Sequence, residues 1–225
     1  MKKYMLIMAM ALLAVGLSLK AEDKPAPTEL PKSELPKPDA DGWIVLFNGK
    51  DLTGWTGDPN IWRVVDGYIS GKVDKVGYNT FLVFNYPLSN YTLEAKFILV
   101  DKKGNSGIQY RSKVHDPKKW IVGGYQADIG EGWWGALYEE RGRGILFKPK
   151  TPPKIAPENG WNQFVFTANG PNIKHEVNGE VTGEYEEKDA VKGAKEGVIA
   201  LQYHSPGGFE VRFKDIRIKL LEEKK

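Results

Sequence analysis

The chain has 225 residues, of which 41% are hydrophobic and 12% aromatic, enough for one sizeable hydrophobic core. It holds 32 Lys and Arg against 29 Asp and Glu, and no Cys, which excludes disulfides and thiol nucleophiles. Nucleic-acid binding depends on Lys and Arg in excess at phosphates, so we expect no nucleic-acid partner.

Residues 1–21 have the layout of a secretory signal peptide. Lysines open the segment, an apolar run fills 6–19, and Ala21 precedes an acidic pair. The run is too short to favour a membrane span, so we expect export to the periplasm or the cell exterior, with no transmembrane segment after cleavage. Because Leu19 and Lys20 are large for a cleavage site, an uncleaved signal that tethers the protein to the membrane stays an alternative.

Residues 22–41 are rich in Pro, Lys and Glu and contain no run that could bury apolar surface. This composition is typical of a disordered or extended linker. A single folded domain is expected over 42–222. Without the three lysines of the signal, the remaining chain is formally neutral.

The predicted domain alternates short strand-like runs with turns built from Gly, Asn and Asp. The strongest signal is Asp66-Gly67, a two-residue hairpin turn. The expected strands are 43–47, 62–65, 68–70, 80–84, 91–100, 106–112, 124–128, 136–147, 161–168, 173–177, 181–185, 197–204 and 210–220. Such a series indicates an all-β fold of two packed antiparallel sheets, a sandwich or jelly roll, with a barrel as the alternative.

Three strands place an amide and an ionisable group at a spacing of two, and therefore on one face of a sheet. Their opposite faces are apolar. We interpret the polar face as the floor of a concave cleft; the alternative is an ordinary solvated surface. The pairs are Gln109 and Arg111, Gln126 and Asp128, and Gln202 and His204.

The stretch 123–146 combines charged and aromatic residues with glycines, a composition typical of a functional loop beside a rigid strand. A rim loop that covers the core is the alternative. We expect its side chains to form the wall of the cleft. They are Trp133, Trp134, Tyr138, Glu139, Glu140, Arg141 and Arg143.

The three histidines have different settings. His115 lies in a loop context and is expected on the surface. His175 alternates with apolar residues, so it is either a hydrogen-bonded core residue or part of the site. His204 ends a strand beside a loop, where it can exchange a proton near neutral pH. No close pairing of histidines indicates a metal site.

The run 126–131 resembles the Glu-x-Asp-x-x-Glu strand of retaining endo-glucanases, in which alternate acids act as nucleophile and acid/base about 5 Å apart. In this sequence Gln126 stands in place of the first acid. An amide cannot serve as that nucleophile. The sequence therefore argues against hydrolysis by carboxylate displacement.

A set of motifs, in order and spanning nearly all of 42–220, resembles the bacterial 3-keto-disaccharide hydrolase domain. They are LFNGKDLTGW at 46–55, WRVVDG at 62–67, GNSGI at 104–108, GYQAD at 124–128, GALY at 135–138, WN at 161–162, VNG at 177–179 and FKDIRI at 213–218. The resemblance implies a concanavalin A-like lectin/glucanase jelly roll, export, and action on glycosides already oxidised to the 3-ketone.

A C3 ketone acidifies the hydrogen on C2, so a base can form an enolate that expels the C1 substituent by β-elimination. This chemistry needs a base, an enolate stabiliser and a proton donor. The sequence requires no cofactor, although a divalent cation could replace the arginines as stabiliser. The hypothesis takes His204 or Asp128 as base, Arg111 with Arg141 and Arg143 as stabiliser, and Glu139 or Glu140 as donor.

The remaining candidates are expected to bind the carbohydrate substrate. Trp133, Trp134 and Tyr138 offer flat apolar surface to a sugar ring. Gln109, Gln126, Gln202, His175, Arg141 and Arg143 complete the predicted set. A non-catalytic carbohydrate-binding module stays the main alternative, since one fold serves both; an envelope interaction domain without sugar specificity is a further one.

Overall fold

The computed structural model describes residues 29–157 and 159–222. The predicted signal peptide lies outside these residues. The described chain forms fifteen β-strands and one 3₁₀ turn, Val100–Lys102. The strands are β1 Trp43–Val45, β2 Trp55–Thr56, β3 Trp62–Val65, β4 Tyr68–Val73, β5 Thr80–Leu88, β6 Tyr91–Leu99, β7 Asn105–Asp116, β8 Ile121–Gly130, β9 Leu137–Glu140, β10 Gly144–Phe147, β11 Asn162–Asn169, β12 Asn172–Val177, β13 Glu180–Glu186, β14 Gly197–Tyr203 and β15 Phe209–Leu220.

The strands form two antiparallel sheets. Sheet I has the order β13-β12-β11-β6-β15-β4-β3, and β1 also pairs with β15. Sheet II has the order β10-β9-β8-β7-β14-β5-β2. Long crossovers join strands that are distant in sequence, as in a jelly roll. The predicted all-β, two-sheet sandwich is confirmed.

The core lies between the sheets and follows the period-two pattern of the strands. In β11, Phe164 and Phe166 are fully buried while Gln163 on the opposite face is exposed. Tyr110 of sheet II stacks on Phe166 of sheet I, with ring centroids 4.2 Å apart. Aromatic contacts of this kind join the two layers in the absence of any cysteine.

Two turns show how local sequence fixes the strand pairing. The Asp66-Gly67 hairpin prediction is confirmed: both residues have positive φ, 45° and 81°, and they connect the paired strands β3 and β4. The expected single run 136–147 is instead a hairpin of β9 and β10. Arg141 adopts a left-handed φ of 59° in the turn between them.

Residues 29–41 lack regular secondary structure but are anchored on the domain. Ser33 and Asn85 exchange hydrogen bonds of 3.0 and 2.7 Å, and the Asn85 amide donates to the carbonyl of Leu30 at 2.9 Å. Leu30 is buried in a small apolar cluster with Phe81 and Val83. The C-terminal part of the predicted linker is therefore packed against β5. The described chain includes no helix of the length and apolarity that crossing a membrane would need.

Candidate active site

The pairing of sheet II brings the predicted polar residues together. β8, β7 and β14 are neighbours, Gln109 lies opposite Gln126, and Asp128 lies opposite Gly107. The alternate residues of these strands, such as Ile108 and Leu201, are buried in the core. The polar residues consequently share the outer face of sheet II.

A cavity of about 330 Å³ opens on this face. β7, β8 and β14 supply its floor, and β9, the β8–β9 connection and the residues that precede β5 and follow β14 supply its walls. Seven of its nine lining residues were predicted from the sequence. The lining consists of Asn79, Asn105, Gln126, Asp128, Trp133, Tyr138, Glu140, Gln202 and His204.

Two glycines make room for the polar groups on the floor. A Cβ at Gly107 would lie 2.6 Å from Cγ of Gln126, and a Cβ at Gly130 would lie 2.6 Å from Nδ2 of Asn105. Neither separation is tolerated in folded proteins. The absence of side chains at Gly107 and Gly130 leaves room for the side chains of Gln126 and Asn105.

Asp128 is the buried acid of the cavity, with 3% of its surface exposed. Burial raises its pKa to about 7; the hydrogen bond from Gln126 opposes this shift and the negative charge of Glu140 adds to it. The Gln126 amide donates to Oδ1 at 2.7 Å. A carboxyl group of this kind can both accept and release a proton near neutral pH.

Glu140 is the second carboxyl group of the cavity and is half-buried. Nδ2 of Asn79 donates to its Oε1 at 3.3 Å, and Nε2 of Gln202 approaches its Oε2 at 3.5 Å. Asn79 is itself held, since its Oδ1 accepts a hydrogen bond from the Ser205 backbone at 3.1 Å. Amides on both sides thus orient this carboxylate toward the cavity.

His204 follows β14 at the edge of the cavity. Its Nδ1 contacts the carbonyl oxygen of Ser205. Because a carbonyl only accepts, Nδ1 carries the proton in this contact, which leaves Nε2 of the neutral ring as an acceptor. His204 therefore offers the cavity a group able to take up a proton.

Two aromatic rings form the apolar part of the lining. Trp133 and Tyr138 pack edge to face, with ring centroids 6.2 Å apart and planes at 90°. Nζ of Lys148 lies 4.6 Å from the centroid of the Trp133 ring. The pair gives the cavity an apolar surface of the kind that contacts the C–H face of a sugar.

Arg111 does not share the face of Gln109, contrary to the period-two prediction. β7 has a bulge between Tyr110 and Lys113, and Arg111 has a left-handed φ of 46°, which reverses the alternation. Its guanidinium donates to the carbonyls of Ser89 and Gly170, both at 2.7 Å, and to Oδ1 of Asn90 at 3.0 Å. It joins two turns beside a separate cavity of about 520 Å³.

Glu139 and Arg143 also lie apart from the cavity. Arg143 Nε is 2.5 Å from Glu139 Oε2, and its Nη2 is 2.6 Å from Oε2 of Glu187. Tyr125 donates to the same Glu187 oxygen. Arg143 is therefore held between two carboxylates in an ion-pair network, and Arg141 lies exposed in the nearby turn. The structure places none of the three predicted arginines in the cavity lining.

His175 and Trp134 are core residues. His175 is fully buried, its Nε2 lies 2.8 Å from the hydroxyl of Tyr110, and burial lowers its pKa to about 4. Trp134 is buried and stacks on Phe97 with ring centroids 6.2 Å apart. Of the two settings left open for His175, the structure shows the hydrogen-bonded core.

Sequence reasoning missed Asn79 and Asn105. Asn105 follows the same alternation as Gly107 and Gln109, so extending that pattern toward the start of β7 would have found it. Asn79 precedes β5 in a loop and carries no periodic signal. Within residues 29–157 and 159–222, no group of three or more His, Asp or Glu side chains is arranged to hold a metal ion.

Comparison with solved structures shows a common sandwich fold. A candidate glycosyl hydrolase from Parabacteroides distasonis superposes with a TM-score of 0.62 at 23% identity, over 81% of this chain and 95% of that one. A carbohydrate-binding module of type CBM66 from Bacillus subtilis gives a TM-score of 0.57 at 17% identity, over 73% and 94% of the two chains. These likenesses establish the fold alone.

Sequence comparison is more specific. A 3-keto-disaccharide hydrolase from Bacteroides thetaiotaomicron is 26% identical over 246 residues, covering 86% of this chain and 83% of that protein. The family model described as the 3-keto-alpha-glucoside-1,2-lyase-like domain matches residues 42–219. This match spans the two sheets and every residue of the cavity lining. The chain therefore belongs to the family of 3-keto-alpha-glucoside-1,2-lyase-like domains.

Proposed function

We propose that this protein cleaves 3-keto-glycosides, including 3-keto-disaccharides, by base-promoted β-elimination, with or without rehydration of the product. The observation that carries the proposal is Asp128, a buried acid with a pKa of about 7 in a cavity also lined by Glu140 and His204. Family membership and the 3-keto-disaccharide hydrolase from Bacteroides thetaiotaomicron support the substrate class.

In the first step the ionised Asp128 removes the hydrogen from C2 of the sugar. The C–H electrons become the enolate of the C3 ketone, and the proton stays on the carboxyl. As the enolate collapses, C1 and C2 form a double bond and the C1–O bond breaks. The leaving oxygen takes a proton from Glu140 or His204, so this arrangement requires that one of the two enters the step in its protonated form and is reprotonated by water afterwards. Addition of water across the new double bond then gives net hydrolysis.

His204 is the alternative base. Its unprotonated Nε2 can accept the C2 proton if the substrate lies nearer the end of β14 than β8. In that arrangement Asp128, protonated at or below its raised pKa, can donate to the leaving oxygen. Both arrangements use the same three ionisable side chains and need no carboxylate nucleophile at Gln126.

Amide groups take over the role first assigned to arginines. The side chain of Asn105 lines the cavity, and its amide carries two N–H donors. It can therefore donate to the oxygen that becomes negative in the enolate. Gln202 lies on the same floor and holds Glu140 at 3.5 Å. The chelator arm of the experiment below tests whether a divalent cation adds to this stabilisation.

A non-catalytic carbohydrate-binding module is the second candidate. The shared fold with the CBM66 module favours it, as does the pair of aromatic rings in the cleft. Such a module needs no acid with a pKa near 7. Export by the segment 1–21 and the domain bounds 42–222 also belong to the proposal, and processing at Ala21 can be checked by mass spectrometry of the mature protein.

The test is incubation of the protein with matched pairs of glycosides, each offered as the 3-ketone and as the unoxidised sugar, with and without a chelator. We expect release of the aglycone from the 3-ketone alone. Saturable binding without release would instead support the module. Release from the unoxidised partner would support a glycosidase and contradict the elimination mechanism.

A further inference from the structure

We propose that Gln109 is a positioning residue of the candidate active site, which acts through Gln126 to hold an N–H donor on the carboxyl group of Asp128. Gln109 is fully buried and is not part of the cavity lining. It cannot touch a bound sugar. Its effect on turnover rests on the proposed function, whereas its effect on Asp128 does not.

A chain of buried hydrogen bonds carries the inference. The hydroxyl of Ser112 lies 2.6 Å from Oε1 of Gln109, and Nε2 of Gln109 lies 3.0 Å from Oε1 of Gln126. Nε2 of Gln126 then lies 2.7 Å from Oδ1 of Asp128. Each member is at most 3% exposed, so these hydrogen bonds are stronger than they would be in water.

The direction of each amide follows from the acceptors at the cavity end of the chain. An ionised Asp128 only accepts, and Oε1 of Gln202 lies 3.3 Å from Nε2 of Gln126, so Gln126 presents its nitrogen to both. Its oxygen then faces Gln109, which presents its nitrogen to Gln126 and its oxygen to the hydroxyl of Ser112.

This arrangement matters because the Gln126 amide is fixed at both ends, with Gln109 on its oxygen and with Oε1 of Gln202 at 3.3 Å, beside Asp128, on its nitrogen. With Gln109 in place, rotation would bring two N–H groups of the glutamines against each other. Gln126 therefore remains a donor to Asp128 in both protonation states, which favours the ionised base against the effect of burial. The other titratable groups around Asp128 are Tyr138 and Glu140 from β9 and His204 after β14.

The experiment compares Gln109→Leu and Ser112→Ala with the unmodified protein. Gln126→Leu serves as the reference for complete loss of the donor. Gln163→Leu, an exposed glutamine on the outer face of sheet I, serves as the matched control. The first readout is titration of the Asp128 carboxyl carbon by NMR without substrate, assigned with Asp128→Asn. The second is the pH profile of kcat/KM on a 3-keto-glycoside.

We expect Gln109→Leu to raise the titration midpoint of Asp128 by about one pH unit, which is the effect of one hydrogen bond to a charged group. Ser112→Ala should shift it in the same direction, and the acidic limb of kcat/KM should move with it. If Gln109→Leu does not fold, Ser112→Ala decides the question. Unchanged titration in the folded variants would overturn the inference, even if the enzyme is active. Absence of turnover in the unmodified protein would count against the proposed function alone.

Discussion

Burial of Asp128 raises its pKa into the range useful for proton transfer, and the same burial lowers the stability of the folded protein when the carboxyl is ionised. A carboxyl buried without a counter-cation destabilises the folded state when it is ionised. Its pKa of about 7 in the fold, against an ordinary value of 3.8, means that the native state holds more protons than the unfolded state between those pH values. Stability from this group is therefore lost as pH rises from about 4 to about 7.

Asp128→Asn should remove this pH dependence. We expect the variant to lose turnover and yet to exceed the original protein in free energy of unfolding by roughly 4 kcal/mol at pH 8, with little difference at pH 4. Urea denaturation at both pH values measures this. If Asp128→Asn lowered the free energy of unfolding by the same amount at pH 4 and at pH 8, the carboxyl of Asp128 would not have the raised pKa described above.

Arg111, unlike Asp128, lies outside the cavity lining and has a structural role. It was expected to stabilise an oxyanion, but it joins the turns at Ser89 and Gly170. Arg111→Lys retains the charge and loses the planar set of donors. We expect a loss of about 2–4 kcal/mol in stability and a kcat/KM within about twofold of the original once the protein is folded. A full-stability variant with a much lower kcat/KM would return Arg111 to the catalytic set.

At the scale of elements, the part of the cavity floor around Asp128 depends on β7 and β8 together. Asp128 reaches its hydrogen-bond partner because Gly107 on the paired strand has no side chain. The side chain of Gln126 occupies the space that the Cβ of an alanine at position 107 would fill. The floor thus depends on a glycine in one strand as much as on an acid in the other.

Gly107→Ala should displace Gln126 and disturb the donor to Asp128. We expect a stability loss of about 1–3 kcal/mol from overpacking and a loss of at least tenfold in kcat/KM. Gly77→Ala is the matched control, because a Cβ there meets nothing within 4 Å. Equal behaviour of the two variants would argue against a close-packed floor.

The strands show what sequence pattern can and cannot predict. Alternation was sufficient for Gln126, Asp128 and Gln202, because β8 and β14 keep their period through these residues, and for His204, which directly follows β14. Alternation failed at Arg111, because β7 has a bulge there and Arg111 adopts a left-handed conformation. Nothing in the residue types around Arg111 indicated this bulge. The composition of 123–146, from which Glu139 and Arg143 were predicted, did not show that they pair with each other and with the distant Glu187.

At the scale of the molecule, the all-β sandwich followed from turn signals and alternation, while strand order did not. The neighbours β7 and β14 are about ninety residues apart along the chain. The alternation of residues within each strand does not indicate which distant strand it pairs with. The site was therefore predictable as a set of candidate residues. Which of these candidates line one cavity, together with Asn79 and Asn105, became clear only from the sheet topology.

The segment 29–41 belongs to the folded unit by its contacts. Leu30→Ala should lower the free energy of unfolding by about 2–3 kcal/mol, because Leu30 is buried against Phe81 and Val83. Val191→Ala is the control, since Val191 is 93% exposed. Equal stability of both variants would mean that this segment is a detached linker in solution.

The most direct test of the mechanism is the fate of the hydrogen at C2. Cleavage of a 3-keto-glycoside in D₂O, followed at early times by NMR, should give a hydrated product with deuterium at C2, or an unsaturated product without hydrogen there. Reactions without enzyme and with Asp128→Asn set the background of spontaneous exchange. A product that keeps its original C2 hydrogen would contradict elimination and point to displacement at C1.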